Sequence, residues 1–144
     1  MLSEPPKTKL NSLASEIITE SNKFNLTGYS DTNKFFNEQI DDCIKAYTVC
    51  EKLLGKRVID VGSGAGIPGL VWAIISDNEV WSIDSNRKKV KFQNEFIAEH
   101  EVSNATAEHN RIENIKMFAT DSFCLLYTSP SPRDATLSRM PSSA

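Results

Sequence analysis

A glycine-rich turn constrains the fold of this 144-residue chain more than any other feature. Residues 60–69 read DVGSGAGIPG, directly after the short apolar run Val58–Ile59 and directly before the apolar run Leu70–Ile75. Because glycine lacks a Cβ, such a backbone can turn sharply and approach a ligand closely. The N-terminus of a following helix adds free N–H groups and the positive end of the helix dipole. The segment therefore predicts a strand, a turn that binds a nucleotide-like ligand, and a helix.

Strand and helix patterns alternate along the centre of the chain. The predicted strands are Arg57–Val61, Glu79–Asp84 and Ala105–His109, and the predicted helices between them are Gly69–Ser76 and Asn86–Glu101. Such alternation is typical of βαβ units and a parallel sheet. Two further helices are predicted before the first strand, over 8–23 and Lys34–Leu54. The chain is therefore predicted to be an α/β protein with an N-terminal helical segment over 1–56.

The last 21 residues, 124–144, have a different character from the rest of the chain. Back-translation of CLLYTSPSPRD and SRMPSSA resembles the two ends of a transposase-type sequencing adapter. We therefore predict a non-native tail over 124–144 and a partial ligand-binding domain over 57–123, with a natural Ser/Pro-rich tail as the alternative. Phe123–Tyr127 is apolar and has the length of a strand, so it is expected beside the open edge of the first strand. Residues 129–144 are expected to be irregular.

Composition and charge exclude several classes of protein. A net charge of −3 gives no overall nucleic-acid signature, so any RNA contact requires a local basic patch. No apolar run reaches the ~20 residues that span a membrane, and the N-terminus lacks the layout of a signal peptide. A cytoplasmic protein without a membrane contact is therefore expected. The chain has no CxxC pair, so no metal site is predicted, and His100 and His109 are expected at the surface or in loops.

Two acidic residues accompany the glycine turn. Asp84 ends the second predicted strand, 18 residues after Gly66, where an acid can accept hydrogen bonds from the ribose hydroxyls of an adenosine. Asp60 ends the first predicted strand, where a carboxylate suits a cationic group such as the amino group of a methionine moiety. The alternative for Asp60 is a cap on the following helix. Residues 64–69 alone fit the dinucleotide pattern GxGxxG, but residues 60–66 fit DxGxGxG, which favours S-adenosylmethionine.

Four ordered segments carry a more specific resemblance: Asn25-Leu26-Thr27, the turn Asp60–Gly69, Ile83-Asp84-Ser85 with the following Lys88–Phe92, and Asn110-Arg111-Ile112-Glu113. In these segments the chain resembles the bacterial ribosomal RNA small-subunit methyltransferase G family, also called glucose-inhibited division protein B. The resemblance covers residues 1–123. It implies a Rossmann-like class I methyltransferase fold with N-terminal helices, here truncated and missing its C-terminal strands.

The resemblance also implies an S-adenosylmethionine site. The matching positions are Asp60, Gly62, Gly64, Gly66, Ile67, Asp84, Ile112 and Glu113. Among these, Gly62 and Ile67 are implied to line the site and Asp84 to bind the ribose. The last two are implied to flank the adenine. Two departures stand out: Gln39–Cys43 occupies the place of a His-x-x-Asp-Ser element that is frequent in the family, and the Ser-Arg-Ala segment after the fourth strand has no counterpart.

The activity implied by the resemblance is methyl transfer to N7 of a guanine in small-subunit (16S) ribosomal RNA, with that RNA or the ribosomal subunit as the partner. N7 carries an in-plane lone pair, so no catalytic base is assigned, and the protein has to supply alignment. Arg87, Lys88 and Lys91 are candidates for contact with RNA phosphates, and an ordinary solvated helix face is the alternative.

Two other functions stay open at this point. The first is a nicotinamide-dependent oxidoreductase fragment, which Asp60 disfavours. The second is a truncated fragment that is not an enzyme. Because the resemblance implies that later strands are missing, the 144-residue chain by itself is expected to be inactive.

Overall fold

The fold consists of a parallel sheet with helices before and between its strands. A computed structural model describes residues 5–111 and 123–127. Its helices are α1 (Pro6–Ser21), α2 (Thr32–Phe35), a π-helical segment (Phe36–Ile40), α3 (Asp41–Cys50), α4 (Gly69–Ile75) and α5 (Arg87–Glu99). Its strands are β1 (Arg57–Val61), β2 (Glu79–Asp84), β3 (Ala105–His109) and β4 (Phe123–Tyr127).

The sheet has the strand order β3-β2-β1-β4, and each neighbouring pair is parallel. Val58 pairs with Val80 in the register between β1 and β2, which places the ends of the two strands side by side. This confirms the predicted parallel sheet, in which β2 lies between β1 and β3. β4 lies beside β1, where the apolar run 123–127 was expected. The predicted irregular segment 129–144 lies outside the described residues, and the division into 1–56, 57–123 and 124–144 stays a prediction.

The second predicted helix differs from the structure at its middle and its end. It begins at Thr32 and is capped by Asp31, whose Oδ1 accepts the N–H of Lys34 at 2.8 Å. It passes through the π-helical segment Phe36–Ile40 and ends at Cys50, not at Leu54. A π-helix bonds five residues apart instead of four, so an expectation built on a 3.6-residue period does not reveal it. The segment shifts the following α3 in register relative to α2.

The N-terminal helices are joined to the core by buried apolar side chains and one tryptophan. Leu13, Ala14 and Ile17 of α1 are fully buried. The indole N–H of Trp72 in α4 donates to the carbonyl of Cys43 in α3 at 2.9 Å. This bond satisfies a buried donor and fixes α3 against the helix that follows the glycine turn. No helix among residues 5–111 is long and apolar enough to cross a membrane.

His100 lies in the turn that follows α5, as the prediction of a surface or loop position allows, but its side chain is largely covered. Its ring Nε2 lies 2.6 Å from Oε2 of Glu16, and its side chain is only 11% exposed. The ring also stacks on Phe96 with centroids 4.3 Å apart. His100 therefore links the end of α5 to α1. His109 is exposed, and its Nε2 lies 3.0 Å from the carbonyl of Ser85.

Candidate cofactor site

The glycine turn at the end of β1 adopts a backbone that glycine favours. Gly62, Gly64 and Gly66 have φ values of +73°, +57° and +104°. Residues other than glycine are disfavoured in this left-handed region because their Cβ comes too close to the backbone. The N–H of Gly62 donates to the carbonyl of Ile83 at 2.8 Å, so the turn starts attached to β2. The predicted strand, turn and helix are all present.

At two glycines of this segment, an added Cβ would clash with neighbouring atoms. A Cβ built on Gly66 would lie 2.5 Å from Cδ1 and 2.8 Å from Cγ of Leu70, a fully buried side chain. A Cβ on Gly69 would lie 2.6 Å from Oδ2 of Asp60. The turn therefore packs onto α4 and onto Asp60 at distances that leave no room for a side chain.

Asp60 lies beneath the turn. Its side chain is fully buried, and its Oδ2 accepts the N–H of Gly69 at 2.8 Å. This is the capping arrangement, because it satisfies an N–H that has no partner within the helix. The structure therefore shows the cap, and a contact between Asp60 and a methionine amino group stays a prediction. Asp60 belongs to the framework of the turn.

Asp84 connects the end of β2 to the turn. Its Oδ2 accepts the N–H of Gly64 at 2.8 Å, and its Oδ1 accepts the N–H of Asn86 at 2.8 Å. A carboxylate oxygen has two lone-pair positions, so each oxygen can accept one further hydrogen bond. The residue is half-buried. Asp84 therefore holds the turn and keeps acceptor capacity for a ligand hydroxyl.

Gln93 of α5 is a second support for the turn that the sequence analysis missed. Its Nε2 donates to Oγ of Ser63 at 2.8 Å and to the carbonyl of Gly64 at 2.7 Å. The side chain is fully buried. The signal in the sequence was a polar residue at a position where the helix pattern of α5 turns towards the core, between Phe92 and Phe96.

A cavity of about 540 Å³ opens beside the turn. Its lining comes from the loop after α1 (Leu26, Thr27, Gly28), from the helices α2 to α3 (Phe35, Gln39, Asp42, Cys43, Ala46), from the turn (Gly62, Ser63, Gly64, Ala65, Ile67, Pro68) and from Lys89. Within the part of the chain that the structure describes, a Cβ on Gly64 would meet no atom within 4 Å, so the bare backbone borders open space among these residues. The volume lies within the ~300–1,000 Å³ that is usual for small-molecule sites.

The predicted cofactor residues fall into three groups. Gly62, Gly64 and Ile67 line the cavity. Gly66, Asp60 and Asp84 support the turn through the contacts above. Ile112 and Glu113 lie outside the described residues. The cofactor contacts of all these residues stay predictions.

The three predicted cations lie along the start of α5, where Lys91 shares one cavity lining with Lys88 and another with Arg87. Nζ of Lys88 lies 6.0 Å from the ring centroid of Phe24, and Lys91 pairs with Glu95 at 3.7 Å. Arg87 and Lys91 line a separate shallow cavity. Lys89, which the sequence analysis did not single out, is half-buried and lines the cavity beside the turn. Lys89 is therefore a further candidate, and contact of Arg87, Lys88 and Lys91 with RNA stays a prediction.

A buried thiol in α3 and a group of carboxylates with an imidazole between α1 and the end of α5 were considered as reactive or metal-binding sites. Burial raises the pKa of the Cys43 thiol to about 12, and the carboxylates of Asp60 and Asp42 add to the rise, so this cavity-lining thiol stays protonated at neutral pH. Elsewhere, ligand atoms of Glu16, Glu99 and His100 lie within 4.8 Å of one another. No metal site was predicted from the sequence. The imidazole of His100 already contacts the carboxylate of Glu16.

Comparison with known proteins identifies the family. The family model described as rRNA small subunit methyltransferase G matches residues 6–139. The chain belongs to this family. The match includes most of 124–144, the segment predicted to be non-native. The methyltransferase G from Clostridium perfringens is 38% identical over 104 residues, which cover 71% of this chain and 44% of that protein. The one from Mesoplasma florum is 30% identical over 122 residues, covering 84% and 51%.

A solved structure shows the fold of this methyltransferase G family member. The chain superimposes on the crystal structure of an O-methyltransferase from Bacillus cereus in complex with SAH, with a TM-score of 0.60 at 9% identity. The superposition covers 82% of this chain and 54% of that one. The predicted Rossmann-like methyltransferase fold is therefore confirmed. The chain spans about half the length of the curated relatives it matches.

Proposed function

We propose that this chain contributes the S-adenosylmethionine-binding part of a methyltransferase that acts on N7 of a guanine in small-subunit ribosomal RNA. The observation that carries the proposal is the turn 62–66, tied to β2 through Asp84 and bordering a cavity of about 540 Å³, in a chain of the methyltransferase G family. Because the chain spans 44% of a relative such as the Clostridium perfringens protein, the proposal concerns the complete gene product.

The residues present fit the proposed cofactor in three respects. The bare backbone at Gly64 leaves space for close approach, since a Cβ there would meet no atom of residues 5–111 within 4 Å. Asp84 has spare acceptor capacity for ribose hydroxyls. The site lies at the carboxyl ends of β1 and β2, where open α/β sheets bind ligands. S-adenosylmethionine is favoured over a nicotinamide dinucleotide because the family is a methyltransferase family.

When bound, S-adenosylmethionine supplies an electrophilic methyl group on its sulfonium sulfur. Guanine N7 carries a lone pair in the plane of the base, so the protein need not remove a proton from it. What remains for the protein is to hold the acceptor in line with the methyl group, and alignment of this kind lowers a barrier substantially. The turn and its supports hold the cofactor side, and the half-buried Lys89 offers a positive charge at the cavity for an RNA phosphate.

Replacement of Asp84 tests the cofactor site. We expect Asp84→Ala in the complete gene product to weaken binding of S-adenosylhomocysteine by about 1.5–3 kcal/mol, because hydrogen bonds to a charged group are lost. Isothermal titration calorimetry measures this change directly.

Asp77→Ala is the matched control for Asp84. Asp77 is an exposed acid just before β2, at the other end of the same strand. It has the same charge as Asp84 but lies away from the turn, so its replacement should leave the affinity unchanged. Equal affinities of the parent protein and Asp84→Ala would remove Asp84 from the site.

A further inference from the structure

The Gly64 peptide is held from two sides by side chains of different elements. Its N–H donates to Asp84 at the end of β2. Its carbonyl accepts from Nε2 of Gln93 in α5, at 2.7 Å. Nε2 of Gln93 also donates to Oγ of Ser63, at 2.8 Å. Since a carbonyl can only accept, the contact with Gly64 fixes which end of the Gln93 amide faces the turn.

The position of Gln93 is costly for a residue with no role beyond packing. The side chain is fully buried in the face of α5 that also buries Val90, Phe92 and Phe96. Among the described residues, its Oε1 has no hydrogen-bond partner. An unpaired buried polar atom destabilises a fold, and an apolar side chain of similar size would avoid that cost. The two hydrogen bonds that the Gln93 amide donates to the turn offset this cost.

The backbone of Gly64 needs such support. Its φ of +57° lies in the left-handed region, and apart from its chain neighbours no described residue has an atom within 4 Å of the place where its Cβ would stand. Glycine is also the residue with the greatest conformational freedom. A glycine that borders open space would sample other backbone angles unless its peptide groups were bonded. The bond from Gln93 restricts the carbonyl, as the bond to Asp84 restricts the N–H.

We propose that Gln93 is a positioning residue, which fixes the Gly64 peptide from α5 and thereby sets the affinity of the site for its cofactor. The effect of Gln93 on cofactor affinity rests on the proposed function, whereas its effect on the Gly64 peptide does not. The order of the turn is a property of the protein alone. The binding of S-adenosylhomocysteine reports the consequence of that order, because a turn that is already ordered loses less conformational entropy on binding.

The test uses Gln93→Met in the complete gene product. Methionine has a similar length and volume but no hydrogen-bond donor, so packing is kept and both bonds to the turn are lost. We expect amide hydrogen exchange at Gly64, followed by NMR, to speed up about three- to tenfold, and S-adenosylhomocysteine to bind about three- to tenfold more weakly, the range for one or two hydrogen bonds. The melting temperature should change little, because the unpaired Oε1 disappears as well.

Phe96→Leu is the matched control. Phe96 is buried on the same helix, one turn after Gln93, and its ring packs on His100 without offering a hydrogen-bond donor to the turn. Its replacement should lower the melting temperature while leaving exchange at Gly64 and the affinity unchanged. A purely structural role of Gln93 would produce this same pattern in Gln93→Met.

The outcomes separate the two proposals. Unchanged exchange at Gly64 in Gln93→Met would overturn the positioning role. Faster exchange with unchanged affinity would overturn its effect on the cofactor. If exchange depends on Gln93 but the parent protein does not bind S-adenosylhomocysteine, the turn is held as described and the proposed function is wrong.

Discussion

Gly66→Ala is expected to lower the free energy of unfolding of the complete gene product by about 3 kcal/mol, and to abolish cofactor binding at the concentrations that saturate the parent protein. The φ of +104° at Gly66 is outside the conformations that alanine adopts readily. The added Cβ would also lie 2.5 Å from Cδ1 of Leu70, which is fully buried and cannot turn away into solvent. Strain and overpacking therefore act together at one methyl group. Urea denaturation and calorimetry measure the two effects.

Gly55→Ala is the control for this substitution. A Cβ at Gly55 would meet no atom of the described residues within 4 Å, and Gly55 is exposed in the loop before β1. The free energy of unfolding should therefore stay within about 0.5 kcal/mol of the parent value. If Gly66→Ala were as stable as Gly55→Ala, the turn would have a backbone different from the one described.

Asp60→Ala is expected to destabilise the protein by about 2–4 kcal/mol. The substitution removes a helix cap and leaves the N–H of Gly69 without this acceptor in a buried place. Asp60→Asn keeps an oxygen that can accept this N–H, so its loss of stability should be smaller. Chemical denaturation of the two variants gives the comparison.

Ser82→Ala provides the control for Asp60. Ser82 is the partner of Asp60 in the register between β1 and β2, and it is also fully buried. Among the described residues, its Oγ has no hydrogen-bond partner, so its removal should be nearly neutral. If Asp60→Asn kept full stability but lost cofactor binding, the carboxylate would act on the ligand and not as a cap.

The fold was predictable from the sequence because its signals are local. The runs 57–61 and 79–84 are apolar and β-prone, and glycines and helix patterns separate them, so the chain order of the elements fixes a parallel sheet. The π-helical segment Phe36–Ile40 was not predictable in this way. Its one-residue offset depends on how α2 and α3 pack against the rest of the protein, which a period of 3.6 residues does not contain.

The site was predictable only in part. The glycines of the turn carry a pattern that can be read without a structure, and three of the predicted residues do line the cavity. Gln93 and Lys89 carry no pattern of their own. Gln93 is 30 residues from Ser63 in the chain, and only the packing of α5 against the turn brings its amide within 2.8 Å of that hydroxyl. For Asp60, the structure shows the predicted helix cap, and the predicted contact with the cofactor awaits the comparison of Asp60→Ala with Asp60→Asn.

Methylation of ribosomal RNA in cells is the most direct measure of the proposed activity. N7-methylguanosine in small-subunit ribosomal RNA can be quantified by mass spectrometry in cells with the gene, without it, and with the gene carrying Gly66→Ala. We expect deletion to remove one N7-methylguanosine, the parent gene to restore it, and Gly66→Ala to fail to restore it. Full N7 methylation of the small-subunit RNA in cells that lack the gene would contradict the account.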